Sequence, residues 1–110
     1  MVRLPPELRP LIPALHRWAQ SHPQVGRIWL YGSRVRGTHR PDSDLDVAIE
    51  VARPLENDDE KAEFQQLLTD GSRYLSAEFG LVVSLQAHAT PGVDVGVEQH
   101  GVLVYELFQD

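Results

Sequence analysis

The chain has 110 residues, with 10 basic against 16 acidic side chains and a net charge of −6. That balance argues against broad binding to a nucleic-acid backbone, which requires a basic surface, but it leaves room for a small phosphate ligand held by a local arginine pair and a metal ion. The length suits one domain, residues 1–110, and the absence of cysteine excludes disulfides and zinc–thiolate sites. No apolar run is long enough to span a membrane, and MVRLPPELRPLIP lacks the pattern of a signal peptide, so cytoplasmic residence is expected.

Leu11, Leu15, Trp18 and Ala19 keep helical spacing and predict a helix over 10–21, closed by His22-Pro23. Pro10 and Pro13 are compatible with it because the first amides of a helix lack partners in any case. VGRIWLYG, 25–32, is β-branched and aromatic and ends on glycine, which predicts a strand. Residues 33–43 read as loop or a short helical turn. DLDVAIEV, 44–51, alternates: Leu45, Val47, Ile49 and Val51 share one face, and Asp44, Asp46, Ala48 and Glu50 the other.

Residues 56–80 open with capping and acidic side chains and predict a long helix. Phe64, Leu67, Leu68, Gly71 and Leu75 form its apolar stripe. Gly71 on that stripe signals a close approach to the sheet. A third strand is expected at 81–87, then a loop with a short helical turn, then a final strand at 102–108. The order α-β-β-α-β-α-β indicates an α+β domain: a mixed sheet of about four strands flanked by helices.

The chemistry concentrates in YGSRVRGTHRPDSDLDVAIEV. Residues two apart on a strand point the same way, about 6.6 Å apart, so Asp44 and Asp46 aim at one small volume. Two carboxylates that close repel, and Mg²⁺ relieves the repulsion. A DxD pair alone reads equally as a solvated acidic face, and a Gly-Ser pair alone as a common turn. Gly32 permits a sharp turn that brings amides near a ligand, the Ser33 hydroxyl and nearby amides suit a phosphate, and Arg34 and Arg36 supply local positive charge. Gly-Ser, ten residues, then Asp-x-Asp arises by chance in a chain of this length on the order of once in a thousand.

This segment resembles the minimal nucleotidyltransferases, the small branch of the polymerase-beta-like superfamily, whose signature is GSx10DxD. The resemblance extends in length and element order over most of the chain. It implies that Asp44 and Asp46 hold Mg²⁺ (or Mn²⁺) on the triphosphate of ATP, that Gly32 and Ser33 grip its terminal phosphates, and that a nucleotidyl group passes to a hydroxyl with release of pyrophosphate. It also implies an α-helical HEPN-type partner in a toxin–antitoxin module, hence a homo- or hetero-oligomer.

In one respect the chain departs from the family. A third carboxylate usually stands on the next strand, and the matching position here is Ser84, within Val82-Val83-Ser84-Leu85-Gln86. Serine is no general base near neutral pH and is a poor metal ligand beside a carboxylate. Gln86 offers only a neutral carbonyl, and Glu50 lies about 13 Å along the strand from Asp46. Two functions therefore stand: an adenylyltransferase-type enzyme with activity reduced by the missing carboxylate, and a catalytically weak nucleotide-binding module that neutralises its partner by contact. Trp18, Trp29 and Tyr31 read as packing residues. His39 lies within the signature loop, whereas His16, His22, His88 and His100 have no partner at ligand spacing.

Overall fold

Residues 4–107 are described by the computed structural model. A 3₁₀ segment, Pro6–Leu11, leads into α1, Ile12–Gln20. Strand β1 spans Val25–Tyr31, the single-turn helix α2 Ser33–Arg36, and β2 Leu45–Val51. The long helix α3 runs over Asp58–Phe79, β3 over Val83–Ala87, α4 over Val93–His100 and β4 over Val102–Glu106. The strands form one mixed sheet in the order β3-β2-β1-β4; β1 runs antiparallel to β2 and β4, and β2 parallel to β3. This is the expected α+β architecture.

Most differences from the sequence expectation lie at element ends. The α-helix starts at Ile12 rather than 10, because prolines at 10 and 13 cannot donate i→i−4 bonds; the stretch before it winds as 3₁₀, and Pro13 falls in the first α-turn, where its missing N–H costs nothing. Residues 81 and 82 precede β3, and the part of the expected last strand that includes Phe108 lies outside the described residues. Helix α3 starts at Asp58 because Asn57 caps it: the Asn57 side chain accepts the Glu60 amide at 2.8 Å, and the Glu60 carboxylate accepts the Glu56 amide at 2.9 Å.

One face of the sheet packs against α1 and α3. Leu15, Ile28, Leu30, Leu45, Val47, Ile49 and Leu75 are fully enclosed there, each contributing about 1.5–3 kcal/mol by leaving water. Gly71 sits at the tightest point: a Cβ added to it would lie 2.6 Å from the Trp18 ring and 2.7 Å from Leu85 Cδ1. The close approach expected of Gly71 is therefore present, and α3 continues through it unbroken.

The outer edge of β3 is closed by helix α3. Ser72 and Ser76, one turn apart, accept the outward amides of Leu85 at 3.0 Å and Val83 at 2.8 Å. Their hydroxyls also donate back to Leu68 and Ser72 carbonyls within the helix. Two edge amides that would otherwise be open to another strand are thus satisfied within the chain.

The opposite face of the sheet carries Arg27, Trp29 and Tyr31 from β1, Asp46, Ala48 and Glu50 from β2, and Ser84 and Gln86 from β3. Trp29 stacks on His88 with ring centroids 4.5 Å apart, and Ala48, paired with Trp29, is fully buried. Arg27 bridges Glu50 at 2.9 Å and also bonds Glu106, tying three strands at the far end of this face. As expected, Trp29 packs. Among the described residues no helix is long and apolar enough to cross a membrane.

Candidate active site

The two halves of the signature meet where β1 ends and β2 begins. β1 stops at Tyr31 because Gly32 adopts φ 85°, ψ −165°, a combination essentially reserved for glycine. That turn starts α2 at Ser33, and Gly37, at φ 77°, closes the helix after one turn. Gly32 lies directly against the Asp46 side chain: a Cβ added there would overlap Oδ2 and lie 3.0 Å from Cγ. Tyr31 pairs with Asp46 in the β1–β2 register. Gly32 and Asp46, fourteen positions apart, therefore form one contact surface.

Asp44 does not belong to the strand. β2 begins at Leu45, so Asp44 is exposed just ahead of it while Asp46 is half-buried within it. The pair nevertheless interacts electrostatically: burial and the Asp44 charge both push the Asp46 carboxyl above the usual aspartate range, and His100 partly offsets them. Tyr31 is pushed up to about 12 by burial and by the Asp46 charge. A desolvated carboxylate beside a second carboxylate is a site that gains from a bound cation.

In the parallel β2–β3 register Asp46 pairs with Ser84, and Ala48 with Gln86. The Ser84 hydroxyl accepts a hydrogen bond from the Gln86 amide at 3.0 Å. The strand position beside Asp46 thus presents a hydroxyl joined to a carboxamide. A groove of about 360 Å³ between α3 and β3 is lined by Asp44 and Ser84 together with Gln65, Thr69 and Thr90.

The two arginines separate. Arg34 turns back to its own loop, donating from Nε to the Ser43 carbonyl at 2.9 Å and from NH2 to the Pro41 carbonyl at 3.1 Å. It thereby fixes the connection that delivers Asp44. Arg36 is exposed, close enough to His100 to lower that ring's proton affinity. His39 is half-buried, and its Nδ1 is enclosed without a hydrogen-bond partner.

His100 is the site residue that the sequence did not reveal. At the last position of α4, its Nε2 accepts the Gly32 amide at 2.8 Å, across 68 residues of chain. Burial first, then the Arg36 charge, lower its pKa, while Asp46 pulls the other way. His100 has no partner at ligand spacing in the sequence, and the partner the fold gives it is a backbone amide, which no spacing of side chains can announce.

Among the described residues no group of three or more His, Cys, Asp or Glu is arranged to hold a metal. Two carboxylates are nonetheless a sufficient protein contribution for Mg²⁺, which keeps waters and takes substrate phosphates as its remaining ligands. Asp44 and Asp46 supply hard oxygen donors, and burial first, then the Asp44 charge, raises the proton affinity of Asp46. The donor set fits a metal carried in with a triphosphate.

The profile of the polymerase beta nucleotidyltransferase family matches residues 14–109. The chain belongs to that family. No curated protein matches it. Its fold is similar to that of a toxin–antitoxin structure with AMP-PNP, at TM-score 0.66 and 20% identity, covering 90% of this chain and 76% of that one. It is also similar to a chain in the complex of tri-AMPylated Shewanella oneidensis HEPN toxin with MNT antitoxin, at TM-score 0.59 and 17% identity, covering 86% and 69%. A third likeness, to the toxin–antitoxin complex MntA–HepT, has TM-score 0.56 and 17% identity, with 86% and 69% covered. At these identities the likeness concerns the fold.

Proposed function

We propose that this nucleotidyltransferase-family chain binds ATP with a divalent cation and transfers AMP to a hydroxyl of a partner protein, as one half of a toxin–antitoxin pair. The observation that carries the reading is the seating of Gly32 against the Asp46 carboxylate, which joins the phosphate-gripping turn to the metal-binding pair. Asp44 and Asp46 would hold Mg²⁺ or Mn²⁺, which when bound neutralises the triphosphate and the charge that develops in transfer. Gly32 gives the backbone room to approach the terminal phosphates. The Ser33 hydroxyl donates to them, and the exposed guanidinium of Arg36 adds positive charge.

In the transfer, the acceptor hydroxyl oxygen bonds to the α-phosphorus, the bond from that phosphorus to the bridging oxygen breaks, and pyrophosphate leaves. The hydroxyl proton passes to water, since Ser84 cannot take it at neutral pH. The groove at Asp44 and Ser84, polar and open, is the approach for the acceptor. A HEPN-type partner is favoured because two similar folds occur in complexes described as HEPN–MNT or toxin–antitoxin, and one of those toxins is AMPylated.

Ser84 supports a second reading. A hydroxyl at the position paired with Asp46 leaves the site without a third carboxylate, which suits a module that retains nucleotide binding and acts on its partner by contact. The two readings part in one experiment: incubation with ATP labelled at the α-phosphate, Mg²⁺ and lysate of the source organism, comparing wild type with Asp46→Asn. A labelled protein that disappears in the variant supports the enzyme. Absence of label from a wild type that still binds MgATP supports the binding module, and label that persists in Asp46→Asn contradicts the site assignment.

A further inference from the structure

The amide of Gly32 sits at the start of the turn that would grip phosphate, yet it is already committed. Its N–H donates to His100 Nε2 at 2.8 Å. A backbone N–H fixes the plane of its peptide, so this bond sets the orientation from which the glycine enters φ 85°, ψ −165°. The same conformation lays Gly32 against Asp46 and places Ser33 next in line. One hydrogen bond thus bears directly on the turn that meets Asp46 and leads into Ser33.

The histidine is itself held from two sides. Gly96, one turn earlier on α4, brings that helix close to Tyr31: a Cβ there would lie 3.3 Å from Tyr31 Cδ2 and 3.7 Å from His100 Cε1. The next residue, Gly101, returns its amide to the Val97 carbonyl at 2.8 Å, and Val97 is buried. With Nε2 accepting, the ring proton belongs on Nδ1. Arg36 from α2 and Asp46 from β2 are the charged groups that act on the ring.

We propose that His100 is a positioning residue for the nucleotide site, clamping the Gly32 amide so that Gly32 and Ser33 are set against Asp46 before a ligand arrives. The role rests on the MgATP reading above. It differs from a merely stabilising contact because the clamp acts on the loop that meets the ligand, and preorganisation of that loop is expressed in affinity.

The test compares wild type, His100→Ala and His100→Gln. Glutamine offers a carbonyl acceptor at similar reach and alanine offers none. Both residues favour a helix and the position is half-buried, so both variants fold. The first readout is hydrogen exchange of the Gly32 amide in nucleotide-free protein, followed by NMR. The expected result is exchange about 10-fold faster in the alanine variant, the equivalent of one hydrogen bond, and largely restored by glutamine. The second readout is the Kd for MgATP, expected to rise by about 10-fold in the alanine variant and to recover to within about 3-fold in the glutamine variant.

Unchanged Gly32 exchange in His100→Ala would overturn the clamp, whatever the nucleotide does. Faster exchange with unchanged MgATP affinity would overturn the positioning role and leave His100 a structural residue of α4. A wild type that binds no MgATP overturns the proposed function itself, and the positioning role with it. That outcome is visible before any His100 variant is compared, so the two failures are distinct.

Discussion

Replacing Gly32 with alanine separates backbone strain from the contact that joins the two halves of the site. Gly37 provides the reference, because it also has positive φ, 77°, but an added Cβ there meets nothing within 4 Å. Gly37→Ala therefore pays only for the left-handed backbone, about 1–2 kcal/mol. At Gly32 the backbone region is costlier, about 1–3 kcal/mol, and the new methyl would overlap Asp46 Oδ2 with Cγ at 3.0 Å, adding about 1–3 kcal/mol of overpacking. For 110 residues the unfolding entropy is about 0.23 kcal/mol/K, so each kcal/mol lowers Tm by about 4 °C. Thermal denaturation should show losses of about 4–9 °C for Gly37→Ala and about 9–26 °C for Gly32→Ala. Placed in an Asp46→Ala background, Gly32→Ala should cost at least about 1 kcal/mol less than in wild type, since the carboxylate is gone. If Gly32→Ala costs no more than Gly37→Ala and the cost is independent of Asp46, the two segments do not touch as described.

Three further outcomes follow from the same geometry. Asp46→Asn should raise Tm at pH 7 while weakening MgATP binding: a carboxyl whose folded pKa lies above its unfolded value contributes fully only below the unfolded value and loses that contribution as pH rises through the folded one, so the gain should shrink as pH falls toward the ordinary aspartate range, as denaturation at several pH values would show. Ser84→Asp places a carboxylate beside Asp46 in the β2–β3 register and should raise turnover with Mg²⁺ or Mn²⁺ by up to about 10²-fold; no gain in the α-label assay would mean that the acceptor is activated elsewhere. Gly71→Ala drives a methyl to 2.6 Å from the buried Trp18 ring, and the resulting overpacking of about 1–3 kcal/mol should outweigh the helix-propensity gain of about 1 kcal/mol; a rise in Tm would contradict the packing of α3 on α1.

The strands and the long helix were legible because their signals are local. Leu45, Val47 and Ile49 alternate and are buried, and the stripe from Phe64 to Leu75 faces the core as its spacing requires. The Gly32–Ser33 turn could also be read, since it lies where the first strand ends. Helix α4 was expected only as a loop with a helical turn: Val93, Val95 and Val97 alternate as in a strand, and in the eight-residue helix only Val97 is buried. The Asp94 side chain starts that helix by accepting the Gly92 and Val95 amides, at 3.2 and 2.9 Å. His100 was invisible because its partner is a main-chain amide 68 residues away, brought near only by the assembled sheet. The role of Arg34 in holding the loop was hidden for the same reason, its acceptors being the carbonyls of Ser43 and Pro41.

On the proposed function, Asp44 and Asp46 bind a metal-bound triphosphate against Gly32 and Ser33. Calorimetric titration of wild type with ATP in Mg²⁺, repeated in EDTA and with Asp46→Asn, tests it most directly. Binding in Mg²⁺ should be lost in EDTA and lost or much weakened in the variant. Equal binding of ATP with and without metal, or an Asp46→Asn variant that binds MgATP as wild type does, would contradict it.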